Sequence, residues 1–328
     1  MTETHAASPG QDDKAEPQRK LTHRILGAVA GLVAIKMPSD FRFRTLGSLL
    51  LWGAGSLLVG GLLARTLVPQ PAVGIIRLNT DIWADSRELD SVELVMAQIQ
   101  AAREDPSIQA VVLQLDSPGG EVAATQTLYL ELQSLRREMP VVSSIDGMAA
   151  SGGFYVAMAT DPIYAKPSST VGNVGVWGFI PRDLGVNEVI LASGPFKLTA
   201  SNRAEFLRAI EGIKQEFLAT VVSQRGERLN ISLADLSQGL AYSGRQSLRL
   251  GLIDHLGSQT EAVATAAGLA QIVNYDVIDL QARVIDEIFE GNDPYLRTWI
   301  SAASPVTGGR ILPPGAYLLY DVRLGGMP

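Results

Sequence analysis

The chain has 328 residues and not one cysteine. That excludes a disulfide framework, a thiolate zinc site and a cysteine nucleophile. Histidine is nearly as scarce, with only His5, His23 and His255. The first two lie in the N-terminal tail, so a Ser-His-Asp arrangement would have to use His255. We read His255 as a structural residue, and imidazole-based metal chemistry is short of ligands. Excess basic charge is missing too: the formal net charge is −7, which gives no general footprint for nucleic acid. No internal repeat signals a solenoid. What remains is 46% apolar and 19% charged residues, the composition of a globular protein with a large core.

Residues 1–45 form a polar, then basic, N-terminal tail, read as cytoplasmic. Within it Ile25 to Ile35 is an apolar run of eleven residues, too short to span a bilayer and able to lie in its interface. Leu46 to Ala64 holds nineteen residues without a charge, close to the roughly 20 that cross a bilayer. Arg19, Lys20, Arg24, Lys36, Arg42 and Arg44 precede this run and Arg65 alone directly follows it. The positive-inside rule then predicts a single-pass protein with its N-terminus in the cytoplasm and the rest outside. Residues 65–72, with Pro69-Gln70-Pro71, read as a linker.

From 73 to 280 the pattern alternates between strand and helix. Val73–Leu78, Ala110–Leu115 and Val141–Ile145 are nearly all-apolar strands, as expected where both faces are buried. Asp90–Glu104 and Glu121–Glu138 read as the helices between them, the first opened by an Asp90/Glu93 capping box. Repeated β-α-β units predict an α/β fold with a parallel sheet and right-handed crossovers. Further on, Pro162–Ala165 and Val174–Phe179 read as strands, Arg203–Glu227 as a long amphipathic helix and Ser258–Leu269 as another helix. Val273–Ile278 reads as the last strand. After Gln281 the pattern weakens, and residues 281–328 are read as a C-terminal tail.

Two strand ends carry glycine-rich turns, Ser117-Pro118-Gly119-Gly120 and Ser151-Gly152-Gly153. Ligands of parallel sheets bind at the carboxyl ends of the strands. Glycines there allow close backbone approach and leave N–H groups free for an oxyanion. Ser151, at a strand-to-helix turn, has the setting of a nucleophile, although small-residue turns also hold serines that only pack or cap. Asp116 and Asp146 read as turn formers, and Trp177 and Phe179 as core or pocket wall.

Three segments together resemble the signal peptide peptidase A family. They are Asp116-Ser117-Pro118-Gly119-Gly120, Met148-Ala149-Ala150-Ser151-Gly152-Gly153-Phe154-Tyr155, and Lys166-Pro167-Ser168-Ser169-Thr170-Val171-Gly172-Asn173-Val174-Gly175-Val176. Ala241–Gln246 and Gly251–Gly257 resemble the family's closing segment. The resemblance covers about Val73 to Val277 and is to the short, single-repeat form with one membrane helix. It implies a Clp protease/crotonase-type fold and a serine–lysine protease that uses no cofactor. Carried over by position, Ser151 is the nucleophile and Lys197 the general base, while the main chain of Gly120 and Gly152 forms the oxyanion hole.

A free lysine titrates near 10.4, so such a base must be held neutral by burial. Pro195, Phe196 and Leu198 would supply apolar surroundings for Lys197. Lys166 is a competing base. One departure stands out: Asn173 occupies the place of a serine that hydrogen-bonds the lysine in the family. An Asn oxygen can accept that bond, and Thr199, Ser193 or Ser201 are the alternatives. The resemblance further implies hydrophobic peptide substrates such as remnant signal peptides, attachment to a lipid bilayer, and homo-oligomeric rings. In such rings the serine and lysine of one site come from neighbouring subunits. The rival readings are a same-fold protease with a stomatin-like target, a catalytically silent membrane scaffold, and a crotonase-like acyl-CoA enzyme.

Overall fold

The computed structural model describes residues 52–61, 70–84, 91–179, 193–194, 196–197, 200–290 and 315–319. The chain divides into two compact units, residues 1–67 and 68–328. In the first, residues 52–61 are helical, with Trp52, Leu57, Leu58 and Val59 exposed. Among the described residues no helix is long and apolar enough to cross a membrane. The remainder of the predicted Leu46–Ala64 span, and the run at 25–35, lie outside the described residues.

In chain order the second unit begins with β1 (Ala72–Leu78), α1 (Ser91–Glu104), β2 (Ile108–Ser117), β3 (Gly119–Glu121), α2 (Val122–Glu138), β4 (Val141–Ala150) and α3 (Gly152–Ala157). It continues with β5 (Ile163–Ala165), β6 (Thr170–Gly172), β7 (Trp177–Phe179), α4 (Arg203–Arg225), α5 (Leu233–Leu236), β8 (Ala241–Ser243) and α6 (Gly244–Arg249). It closes with β9 (His255–Leu256), α7 (Gln259–Leu269), β10 (Asp276–Asp279), α8 (Leu280–Glu290) and β11 (Gly315–Leu319).

The main sheet runs β10-β1-β2-β4-β5-β9, and all these pairings are parallel. The period-2 alternation of a strand sends successive side chains to opposite faces. Val73, Ile75, Ala110, Val112 and Val142 therefore point one way, onto Ala262, Val263 and Ala266 of α7. Ile76, Val111, Leu113 and Val141 point the other way, into the larger core with Val95 and Ile99 of α1 and Leu128 and Leu132 of α2. Burial on both faces explains why these strands are almost uninterrupted apolar runs. This is the parallel α/β sheet that the β-α-β pattern predicts, made mixed by one antiparallel addition, β8 on β6.

The strand expected at Val273–Ile278 is β10 at Asp276–Asp279, and it is not the last, because β11 follows it; three other boundaries differ from expectation. First, β4 does not stop at Ile145 but continues to Ala150. Asp116 accepts the Met148 N–H at 2.9 Å where the β2–β4 register shifts, so the strand crosses an irregularity that looks like a turn in sequence. The first half of β4 pairs with β5 and the second half with β6. Second, the stretch 174–179 is strand only from Trp177, and β6 precedes it. Third, α8 forms where the pattern weakens. Leu280 and Val284 are buried, and Arg283 bonds Asp105 beyond the end of α1.

Candidate active site

The turn after β2 is nailed down by Ser117. Its buried hydroxyl donates to the Thr80 carbonyl at 2.7 Å and accepts the Gly119 N–H at 3.2 Å. Gly119 then adopts φ 95°, a region glycine enters freely. Ile82 runs alongside: its N–H donates to Gly119 O at 2.9 Å and its carbonyl accepts the Glu121 N–H at 2.8 Å. A Cβ on Gly120 would overlap the Ile82 carbonyl. The second glycine turn packs against the first. A Cβ on Gly119 would overlap the Gly152 nitrogen, and one on Gly152 would stand 3.1 Å from the Gly119 Cα. The two strand-end turns thus form one site.

Ser151 stands between β4 and α3. Its N–H donates to Gly172 O at 2.8 Å, and its carbonyl accepts the Tyr155 N–H at 2.9 Å. Both backbone groups are satisfied, yet the residue sits at φ 51°, ψ −117°, strained for a side chain with a Cβ. It occupies the N-cap position but makes no side-chain cap bond. Ser151 is 1% exposed, and its hydroxyl bonds no described residue. Capping therefore does not account for this serine. Gly152 opens α3, where the first N–H groups have no intrahelical partner. Thr125, which sequence reading did not single out, lies beneath it. Its hydroxyl is buried, has no hydrogen-bond partner among the described residues, and would stand 2.7 Å from a Cβ on Gly152. No sequence signal distinguishes it from any other helical threonine.

The α3 helix is buried along its whole length and anchors the start of the serine's helix in the core. Phe154 and Tyr155 pack on Phe217 of α4, with ring centroids 6.4 and 5.0 Å apart. The far end of α4 is pinned by Arg225, which forms a two-pronged bond to Asp254 at 2.9 and 2.8 Å. Asp254 also accepts the Ile163 N–H at the start of β5. Burial pushes the Asp254 carboxyl up, but Arg225, the Ile163 N–H and Arg228 outweigh it and hold it below the usual carboxylate range.

The other predicted residues are placed as follows. Lys197 lies in an exposed turn, its N–H donating to Gly194 O at 3.2 Å. No hydrogen bond joins it to Ser151 among the described residues. Phe196 beside it is 44% exposed, and Pro195 and Leu198, the other apolar residues expected around Lys197, lie outside the described residues. Further along, the N-terminal half of α4 is largely exposed while Phe217, Leu218 and Val221 are buried. From Phe217 back to Arg203 the helix rises about 21 Å at 1.5 Å per residue.

Lys166 instead pairs with Asp146 at 3.1 Å, and Asp146 also accepts from Gln114 at 2.6 Å. Its ammonium is engaged by a carboxylate, not by the serine. Asn173, at φ 54°, donates its amide to Gly239 O at 2.7 Å, and its backbone N–H goes to Leu240 O. Its side-chain oxygen carries no bond to a described residue. Ser193 and Ser201 are described, while Thr199 lies outside the described residues. His255 is exposed on the edge strand β9, its ring against Tyr164, away from the glycine turns. Among the described residues no acidic or histidine cluster could hold a metal.

A second, small sheet completes the site, in the order β3-β11-β7 with both pairings antiparallel. Leu318 stands opposite Gly120 and Tyr317 opposite Trp177. Trp177 and Phe179 pack edge-on at 5.3 Å.

Residues 133–273 match Peptidase family S49 and residues 90–171 match Clp protease. The first match contains both Ser151 and Lys197. The chain is 30% identical over 223 residues to Protease 4 of Salmonella typhi, covering 63% of this chain but only 36% of that one. It is 30% identical over 213 residues to a chain of Synechocystis sp. with a protease designation, covering 60% of this chain and 76% of that one. It is 24% identical over 229 residues to a chain of Enterococcus faecium designated a signal peptide peptidase, covering 66% and 67%. The chain therefore spans about a third of the Salmonella relative's length.

Proposed function

The chain belongs to peptidase family S49, and on that premise we propose that it is a membrane-anchored serine endopeptidase that cuts hydrophobic peptides, such as remnant signal peptides, with a Ser151–Lys197 dyad. One observation carries the reading: a buried serine is held at positive φ between two interlocked glycine turns, with its hydroxyl bonded to no described residue. Ser151 Oγ attacks the peptide carbonyl carbon while its proton passes to the neutral amine of a lysine. The oxygen becomes an oxyanion and accepts the N–H groups of Gly120 and Gly152. One such donor contributes on the order of 10²–10³ in rate. The intermediate expels the amine, which takes the proton from the lysine. Water then releases the acyl group from Ser151. No cofactor enters this route.

The lysine comes from a neighbouring copy in a homo-oligomeric ring. In support, Lys197 and Phe196 are exposed within one chain, and the long helix α4 carries its own start away from the core. A site closed by a second copy would desolvate the amine and favour its neutral form. The exposed apolar residues at 52–61 and the uncharged run around them support a bilayer anchor, with the protease unit on the extracytoplasmic side.

Mixing separates these ideas. Ser151→Ala and Lys197→Ala proteins should each fail to cleave a hydrophobic signal-peptide-derived substrate. Co-assembled, they should regain part of the wild-type rate, because some sites then combine an intact serine with an intact lysine. Loss without recovery contradicts the shared site. Undiminished cleavage by Ser151→Ala contradicts the nucleophile.

A further inference from the structure

We propose that the Thr125 hydroxyl is a further donor to the oxyanion, beside the main-chain N–H groups of Gly120 and Gly152. This rests on the reading of Ser151 as nucleophile. A threonine inside a helix commonly bonds its hydroxyl to the carbonyl one turn back. Thr127, two residues further along α2, does so, donating to Ala123 O at 3.0 Å. Thr125 does not. Its side chain is fully buried, and its hydroxyl has no hydrogen-bond partner among the described residues. A buried donor left without an acceptor destabilises a fold. Such a local violation, with no structural gain beside it, marks a functional position.

Neighbouring contacts fix where this hydroxyl sits. α2 starts at Val122, two residues after Gly120, so Thr125 lies directly behind the first glycine turn. Tyr129, one turn further along α2, packs edge-on against Tyr155 of α3 with ring centroids 5.0 Å apart. That contact seats α2 against the helix that begins beside Ser151. The Thr125 oxygen stands 2.7 Å from the position of a Cβ on Gly152, and the Gly119 Cα stands 3.1 Å from the same position. On helical backbone, an oxygen that accepts the Gly152 N–H at about 2.9 Å lies roughly 3.6 Å from that position. The Thr125 hydroxyl and the oxyanion therefore border one small space, which a side chain on residue 152 would fill.

The chemistry follows from the change in charge. The carbonyl oxygen of a bound peptide is neutral, and it becomes an anion when Ser151 Oγ adds to the carbon. A hydroxyl donates more strongly to an anion than to a neutral carbonyl. The Thr125 bond thus strengthens as the tetrahedral intermediate forms, and it lowers the barrier without tightening substrate binding.

The test uses the full-length protein in detergent, as wild type, Thr125→Val and Thr125→Ser. Valine keeps the shape and removes the hydroxyl, while serine keeps the hydroxyl. For a hydrophobic signal-peptide-derived substrate, Thr125→Val should lower kcat on the order of a hundredfold with KM unchanged, the pattern of one lost oxyanion donor. Thr125→Ser should recover most of that rate. Thr125→Val should melt at or above the wild-type temperature, because an unpaired buried donor has gone. A peptide aldehyde, which forms a tetrahedral adduct with Ser151, should bind Thr125→Val more weakly by a similar factor. The corresponding peptide alcohol forms no adduct and should bind both proteins equally. Wild-type kcat and aldehyde affinity in Thr125→Val would overturn the proposal. So would equal weakening of aldehyde and alcohol, or a loss shared by Thr125→Ser together with a lower melting temperature. An aldehyde that binds Ser151→Ala as tightly as the wild type would overturn the nucleophile itself, and the proposal with it.

Discussion

Gly119 and Gly152 touch backbone to backbone, so closely that a Cβ on the first would overlap the nitrogen of the second. The contact joins the start of β3 to the start of α3 and sets the two glycine turns at one distance. Gly119→Ala should therefore fail twice. It forces a side chain into φ 95° and pushes the turns apart, at a cost of about 1–3 kcal/mol from strain alone. The expected outcome is a lower melting temperature together with loss of peptide cleavage. A variant that melts like the wild type and cleaves normally would contradict the interlocked site.

Ser151 offers the opposite experiment. Its φ of 51° suits glycine, so Ser151→Gly should relieve strain and raise stability by up to about 1 kcal/mol while abolishing cleavage. Thermal denaturation and turnover measured on one sample check both halves. A destabilised Ser151→Gly protein would mean that the hydroxyl serves the fold.

Much of this site was legible in the sequence. The apolar strands predict a parallel sheet buried on both faces, and both glycine turns lie at carboxyl ends of its strands. Other parts were not legible, for identifiable reasons. The Asp146-Gly147 pair looks like a turn, but the carboxylate of Asp116 replaces a ladder partner by binding the Met148 N–H, and the strand continues. Three-residue β6 carries too few residues for a period-2 pattern. Gly315–Leu319 follows two prolines and pairs with β3 almost two hundred positions earlier in the chain, a relation no local pattern encodes.

The Arg225–Asp254 pair gives a pH prediction. Both side chains are nearly buried, at 2% and 10% exposure. The Asp254 carboxyl lies below its ordinary value in the fold because Arg225, Ile163 N–H and Arg228 together overcome the opposing effect of burial. A group lowered in this way contributes stability above its unfolded pKa, and that contribution fades as pH falls through the folded value. The wild type should lose stability below about pH 4, the ordinary carboxylate range. Asp254→Asn should lose about 3–5 kcal/mol at neutral pH, since it leaves a buried guanidinium unpaired, and part of the acid dependence should vanish. Urea denaturation at pH 7 and pH 4 checks both. Equal losses at the two pH values would contradict the assignment.

The central claim is that Ser151 is the nucleophile, and the most direct measurement is the site of a fluorophosphonate adduct. Full-length protein in detergent is labelled to completion, digested and read by mass spectrometry. The account predicts one adduct, on the peptide containing Ser151, and none in Ser151→Ala. An adduct on another serine, or one that persists in Ser151→Ala, would contradict it.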